Sequence, residues 1–208
     1  MDEPTVKRAV AFFDGQNLYR HAKEAFGHHH PNYHPTKLFD AVCAAHGWEN
    51  RGVRFYTGTP DIAHGEMWHG YWKNRLLAMR RGGILVTDRP IKYREREVKL
   101  PDGTVHSIES AQEKGIDLRI GLDIVRLAHT SQYDVGVIFS QDQDLSEVVQ
   151  DVKDISRERD CWLKIVSAFP AGPNASYAHG IHGADWFKMD QNFYDSCLDS
   201  RDYRPKKT

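Results

Sequence analysis

The stretch that decides the fold reads AVAFFDGQN and spans Ala9–Asn17. Five apolar residues end abruptly in polar ones, which is typical of a buried parallel strand leaving its sheet. The chain repeats this pattern at Val135–Phe139, which leads through Ser140 and Gln141 to Asp142. Because ligands of open α/β sheets bind outside the carboxyl ends of the strands, Asp14 and Asp142 are predicted to be neighbours.

Outward from these two strands, strand-like and helix-like segments alternate, which predicts an α/β fold with a mainly parallel sheet and helices on both faces. Strands are predicted at Ala9–Phe13, Val53–Thr57, Ile84–Thr87, Val135–Phe139 and Trp162–Ser167, with an added edge strand near Ala184–Met189. Helices are predicted near Asn17–Phe26, Pro35–Ala45, Gly65–Arg80, Ile116–Ala128 and Leu145–Arg157.

An insertion interrupts the alternation. Ile91–Leu100 alternates apolar or aromatic residues with charged ones, Pro101–Thr104 has turn composition, and Val105–Ile108 can return as a partner strand. The pattern predicts a β-hairpin beside the site. Alternation places Lys92, Arg94 and Arg96 on one face and Lys99 on the other. Contact of the first three with a nucleic acid is a hypothesis, and a solvated charged surface is the alternative.

Composition favours one globular domain. The chain has 208 residues, 40% of them hydrophobic, and a net charge of −1. We predict a domain over residues 6–190 and an extension over residues 191–208 that ends in a flexible basic tail. Three widely spaced cysteines argue against a disulfide framework and fit a reducing, cytoplasmic environment. No segment suggests a signal peptide or a membrane span.

Three blocks of the sequence resemble the signatures of NYN domains, a branch of the PIN-like nuclease superfamily. They are FFDGQNLY at Phe12–Tyr19, EKGID at Glu113–Asp117 and FSQDQDL at Phe139–Leu145. The resemblance covers about Val6–Ser167 and implies a three-layer, Rossmann-like fold. It also implies a metal-dependent ribonuclease whose acidic quartet corresponds to Asp14, Asp117, Asp142 and Asp144. One departure is Gln141, where many relatives carry glycine.

The chemistry of phosphodiester hydrolysis fits these acids. The reaction needs a neutralised phosphate, an activated water and a stabilised leaving oxygen, and Mg²⁺ or Mn²⁺ held by carboxylates serves all three needs. We assign Asp14 and Asp142 as the first candidates for direct metal ligands, with Asp117 and Asp144 completing the site directly or through water. Asn17 is expected to position a phosphate oxygen or a metal-bound water. Lys114 either neutralises the scissile phosphate or is a solvated lysine.

Two other functional classes compete with this interpretation. Phosphatases of the haloacid-dehalogenase type also carry an Asp-x-Asp pair after a strand. Their pair follows the first strand, whereas here the pair at Asp142 and Asp144 follows the fourth predicted strand. A non-catalytic RNA- or partner-binding module with this fold is the second alternative. The family resemblance also raises a homodimer as a possible assembly.

Two further expectations concern packing. Asp123 lies six residues after Asp117, about 240° around a helix, so we expect a surface or capping role. Trp68, Trp72, Leu76 and Met79 recur every three to four residues. This stripe predicts a core-facing helix surface rather than a platform for stacking bases.

Overall fold

The computed structural model describes residues 2–30, 32–99 and 104–206. A six-stranded parallel sheet organises the chain, in the order β3-β2-β1-β6-β7-β8. Its strands are β1 (Arg8–Asp14), β2 (Glu49–Thr59), β3 (Leu85–Pro90), β6 (Val135–Phe139), β7 (Lys164–Pro170) and β8 (Asp185–Met189). The strands predicted from sequence are confirmed, with ends that differ by a few residues.

Helices cover both faces of this sheet. They are α1 (Gly15–Phe26), α2 (Pro35–His46), α3 (Glu66–Arg81), α4 (Ile116–His129), α5 (Ser146–Glu158) and the short α6 (Gln191–Asp195). Alternation along β1 sends Phe13 to one core, which α1, α2 and α3 close, and Phe12 to the other, which α4 and α5 close. The predicted three-layer architecture is therefore confirmed. None of the described helices has both the length and the apolar character needed to span a bilayer.

The inserted hairpin forms a separate two-stranded antiparallel sheet of β4 (Lys92–Lys99) and β5 (Val105–Gln112). The register runs from Lys92 opposite Gln112 to Lys99 opposite Val105, so the returning strand is longer than predicted. Leu100 and the predicted turn residues 101–103 lie outside the described residues. Tyr93 stacks on His64, with ring centroids 3.4 Å apart, and this contact fixes the hairpin to the loop after β2.

The expectation that Asp123 has a surface or capping role is wrong. Asp123 is only 2% exposed and lies under a cluster of cationic side chains instead of on the surface. Arg119 and Arg126 donate to its carboxylate at 2.7 and 3.0 Å, and the Tyr56 hydroxyl donates at 2.9 Å. The sequence estimate failed because it measured Asp123 only against Asp117 on the same helix. The side chain instead faces β2, which supplies Tyr56.

The C-terminal tail corrects another expectation. Residues 199–206 were expected to be flexible but pack along α3, with Tyr203 buried and its ring against Tyr71 at 5.9 Å. The Asn74 side chain donates to the Tyr203 carbonyl, which attaches the segment to the helix. Basic residues suggested solvation, but the aromatic residue among them supplies enough apolar surface to dock. The domain boundary at residue 190 stays a prediction.

The predicted apolar stripe of α3 divides into two parts. Leu76 and Met79 belong to the core, as expected. Trp68 is 46% exposed, and both Trp68 and Trp72 line a surface cleft. Trp72 is half-buried and also packs against the core, so the expectation of a core-facing stripe is wrong only for Trp68.

Candidate acidic site at the sheet edge

The site forms where the direction of chain progression across the sheet reverses. The chain builds outward from β1 through β2 to β3, then returns to the other side of β1 with β6. Phe13 lies directly opposite Phe139 in the parallel register, so Asp14 and the residues after Phe139 leave the sheet side by side. Such a switch point is the usual ligand crevice of an open α/β sheet. The predicted neighbourhood of Asp14 and Asp142 is confirmed.

Asp14 is held rigidly at the junction of β1 and α1. It caps the helix by accepting a hydrogen bond from the Asn17 amide at 3.2 Å, and its other oxygen accepts one from the Ser140 hydroxyl at 3.2 Å. The next residue must be glycine, since a Cβ on Gly15 would lie 2.6 Å from the Phe55 ring and 2.9 Å from the Tyr56 carbonyl oxygen. This close approach presses the start of α1 against β2.

Three carboxylates converge here. Oxygen atoms of Asp14, Asp117 and Asp142 lie within 4.8 Å of one another, with Asp14 buried, Asp142 half-buried and Asp117 exposed. The structure therefore brings together three of the four predicted acids. Asp144 is exposed and lies outside this compact group, although its charge still acts on Asp117. Its backbone amide donates to the Asp142 carboxylate at 3.1 Å, which orients that side chain.

The electrostatics of the trio are unfavourable when its members are charged. Burial, together with the charges of Asp117 and Asp142, raises the pKa of Asp14 to about 7. Asp117 is exposed as a residue, but desolvation of its carboxyl by the surrounding protein and the charges of Asp142 and Asp144 also raise its pKa. The charges that raise these two pKa values are those of other carboxylates. A shared cation relieves such repulsion, and strongly shifted acids gathered in a crevice are typical of functional sites.

A hydrogen-bond framework fixes the loop that carries Asp142. The Asn17 side-chain oxygen accepts from the Gln141 amide at 3.0 Å, and the Ser140 hydroxyl accepts from the Asp142 amide at 3.1 Å. Asn17 therefore holds the two strand exits together through its oxygen. Its predicted contact with a phosphate oxygen or water stays a prediction.

Gln141, the departure from the family pattern, does not need a left-handed backbone, since the described non-glycine residues with positive φ are only Ser131 and Asp160. Its side-chain amide donates to the Tyr177 and His179 carbonyls at 3.2 and 2.8 Å. Gln143 likewise donates to the Gly180 carbonyl at 3.1 Å. These two glutamines attach the loop before β8 to the acidic site. No sequence motif indicates this role of the two glutamines.

Glu113 is a fourth acid that the sequence interpretation did not select. Its carboxylate accepts a hydrogen bond from the Gly58 amide at the end of β2. Burial of the carboxyl and the charges of Asp14 and Asp117 raise the pKa of Glu113 to about 7. The sequence feature that could have identified Glu113 is its position in the EKGID block, four residues before Asp117. Gly115 follows with a φ of 72°, which favours glycine, and begins the helix that presents Asp117.

The predicted substrate-binding cations are exposed. Lys92, Arg94 and Arg96 alternate along β4 and therefore share one face of the hairpin, as predicted, while Glu95 and Glu97 lie on the other. Lys114 is also exposed, and its carbonyl accepts from Arg89 at 3.4 Å. Since β5 ends at Gln112, the hairpin leads directly into the segment that carries Glu113 and Asp117.

Comparisons with known proteins identify a family and a similar fold. The family model of the NYN domain matches residues 8–178. A protein of unknown function from Vibrio parahaemolyticus has a similar fold, with a TM-score of 0.55 and 19% sequence identity over 93% of this chain and 99% of its own. MurG from Acinetobacter baumannii follows, with a TM-score of 0.33 and 9% identity over 88% of this chain and 45% of its own. No curated protein matches the chain significantly. The family match spans most of the chain and contains all four predicted acids, so the protein belongs to the NYN domain family, a PIN-like nuclease family.

Proposed function

We propose that the protein is a metal-dependent ribonuclease that hydrolyses RNA phosphodiester bonds at the Asp14, Asp117 and Asp142 site. The observation that carries the proposal is the convergence of these three carboxylates within 4.8 Å, in surroundings that raise the pKa of two of them. Folding brings like charges together at a cost, and a functional cation offsets that cost.

The donor set fits Mg²⁺ or Mn²⁺. All three groups offer hard carboxylate oxygens, the ligands that these ions prefer, and no described cysteine or histidine belongs to the group. When bound, such an ion supplies charge for the phosphate and lowers the pKa of a water. Asp14 and Asp142 are the proposed direct ligands. Asp117 and Asp144 complete the site directly or through water.

The chain positions these ligands through three rigid supports. Ser140 orients Asp14, the Asp144 amide orients Asp142, and the Gly58 to Glu113 hydrogen bond anchors the segment before Asp117. Rigid placement is important because hydrolysis depends on positioning the phosphate and the attacking water together. Asn17 is proposed to contact the substrate at the same edge.

RNA is proposed to reach this edge along the basic face of the hairpin. Lys92, Arg94 and Arg96 offer three exposed cations on one face, and Lys114 lies between the hairpin and Asp117. Because phosphate contacts supply most non-specific nucleic-acid affinity, this face is suited to guide the strand. A homodimer and a cytoplasmic location remain predictions of the sequence.

The test is cleavage of end-labelled single-stranded RNA by the purified protein, with Mn²⁺ and with chelator. We expect cleavage only with the cation, and no release of phosphate from a phosphomonoester. Matched DNA of the same sequence measures the preference for RNA. If the protein binds RNA but leaves it intact with Mn²⁺ and also with Mg²⁺, the non-catalytic RNA-binding alternative replaces the ribonuclease.

A further inference from the structure

A second cleft, distinct from the acid trio, lies between α1, α3 and the C-terminal segment. It encloses about 600 Å³, within the range of ligand pockets. Trp68, Tyr71 and Trp72 of α3 form one wall, and residues 199–204 form another. Gln16, two residues after Asp14 and in the first turn of α1, also lines it. The cleft therefore opens beside the acidic edge.

Arg75 is the distinctive residue of this cleft. Its side chain is 98% buried and lines the cleft, yet it forms no ion pair with a described carboxylate. Within the described part of the chain it donates to neutral oxygens, those of the Asn32 side chain, the Tyr71 hydroxyl and the Tyr33 carbonyl. Its Nε has no hydrogen-bond partner among the described residues. A buried guanidinium without a counter-charge is costly, so an anionic ligand would compensate it.

The other buried charges show that this is unusual in the molecule. The structure describes four buried acidic or basic side chains, and two of them, Asp123 and Asp134, form ion pairs with arginines. The remaining two are Asp14 and Arg75. Asp14 belongs to the proposed cation site, and Arg75, of opposite charge, lines the same cleft as Gln16.

The aromatic wall indicates what accompanies the anion. Trp68 is 46% exposed, with His30 6.3 Å away and Tyr71 packed edge-on at 5.7 Å, so its ring remains open to the cleft. Exposed aromatic rings beside an arginine are the usual platform for unstacked bases of single-stranded nucleic acid. The other arginines of the cleft, Arg201 and Arg204, are already paired with Asp199 and Asp202.

We propose that this cleft binds one nucleotide of a single-stranded RNA next to the scissile phosphate, with its base on Trp68 and a phosphate near Arg75. The proposal rests on the proposed ribonuclease function for the identity of the strand. It adds a base-stacking subsite that holds the chain in register with the acidic edge. Binding at this subsite needs no metal, which separates it from the chemistry.

The test measures binding of a fluorescently labelled RNA of about ten nucleotides in chelator, where no cleavage is expected. Trp68→Ala should raise Kd about 5- to 150-fold, since stacking on one aromatic ring contributes that much, and Trp68→Phe should restore most of the affinity. Leu77→Ala is the matched control, because Leu77 is 42% exposed on the same helix but does not line the cleft. We expect it to change Kd less than twofold.

Arg75→Met tests the phosphate contact and should lower the salt slope of binding by about 0.7. If this variant fails to fold, Trp68→Ala alone decides. An unchanged Kd in Trp68→Ala, or a wild-type protein that binds no RNA, overturns the cleft assignment. Adenosine monophosphate that competes as well as the strand would show a mononucleotide site and would also overturn it.

Cleavage with Mn²⁺ is measured separately, so that the two proposals fail independently. If Trp68→Ala loses RNA binding and the wild-type protein does not cleave RNA, the cleft proposal is supported and the ribonuclease proposal is overturned. If Trp68→Ala binds RNA normally and retains Mn²⁺-dependent cleavage, the ribonuclease proposal is supported and the cleft proposal is overturned. If both proposals hold, Trp68→Ala should raise KM and leave kcat nearly unchanged.

Discussion

Two aspartates of this protein are almost equally buried, and their surroundings are opposite. Asp14 is 4% exposed and faces Asp117 and Asp142. Asp123 is 2% exposed and receives hydrogen bonds from Arg119, Arg126 and Tyr56. Both positions exclude water, so burial alone does not separate a structural acid from a functional one.

The difference lies in whether the fold supplies the counter-charge. Around Asp123 the chain provides its own cations, and the network links α4 to β2 without any external partner. Around Asp14 the fold provides further acids, and the pKa rises to about 7. A buried charge that the chain leaves uncompensated is therefore the better indicator of a ligand site.

The largest expected effect comes from Asp142→Asn. Replacing a proposed metal ligand by a neutral amide of the same shape should reduce Mn²⁺-dependent RNA cleavage by about 10²- to 10⁴-fold, because several kcal/mol of charge stabilisation are lost. The fold should remain intact, as judged by circular dichroism and thermal melting. Asp151→Asn, an exposed change on α5, is the control. Cleavage at the wild-type rate by Asp142→Asn would refute the metal-site assignment.

The second-largest expected effect is the dependence of the stability of the metal-free protein on pH. Asp14 has a folded pKa of about 7, above its ordinary value of 3.8, so the folded state binds the proton more tightly than the unfolded state. Stability in chelator should therefore fall as pH rises between about 4 and 7, by up to about 1.4 kcal/mol per pH unit for this group. Asp14→Asn should flatten the slope in denaturant titrations. If stability depended on pH equally in the wild type and in Asp14→Asn, a group other than Asp14 would bind this proton.

Asp123→Asn should have the opposite profile, with a loss of stability and no direct loss of chemistry. Removing the shared carboxylate leaves three arginines close together, and since two of them are well exposed we expect a cost of about 2 kcal/mol. Urea denaturation measures this value, and cleavage per folded molecule should be unchanged. Asp154→Asn, which removes an exposed helical ion pair, should cost below about 0.5 kcal/mol. If Asp123→Asn and Asp154→Asn lowered the free energy of unfolding equally, the buried ion pairs would stabilise the fold no more than the exposed one.

The smallest effect concerns the hairpin, where charges act through solvent. Alanine at Lys92, Arg94 and Arg96 together should lower the salt slope of RNA binding by about 2, from about 0.7 for each lost phosphate contact. Turnover at saturating RNA should change little. The control replaces three cations at the amino ends of the strands, which lie opposite to the carboxyl ends that carry the acids. These cations are Lys7, Arg51 and Lys164. If only the control variant altered the slope, the RNA path would lie across that far edge.

Much of the architecture was readable from short apolar runs. The strand at Ala9–Phe13 and the strand at Val135–Phe139 end in the residues that form the site, and the rule for open α/β sheets correctly predicted their meeting. The strand pattern succeeds because apolar runs indicate where a strand ends. Asp117 follows no strand of the main sheet, and only the resemblance of its EKGID block to the family assigned it to the site.

What escaped sequence reasoning depends on contacts between distant segments. Asp123 was misplaced because its partner Tyr56 comes from β2, 67 residues away. The roles of Gln141 and Glu113 depend on bonds to the Tyr177 carbonyl and the Gly58 amide. Trp68 lies on the same helical stripe as Leu76, yet Trp68 is 46% exposed and Leu76 is 2% exposed, a difference that helical periodicity alone does not predict.

The docked C-terminal segment separates the two features of this surface along the chain. The family match ends at residue 178, whereas residues 199–202 and Arg204 line one wall of the cleft beside α3. The carboxylate edge and this wall are therefore encoded in separate parts of the chain. Substitutions in the terminal segment change the wall of the cleft while Asp14, Asp117 and Asp142 stay the same.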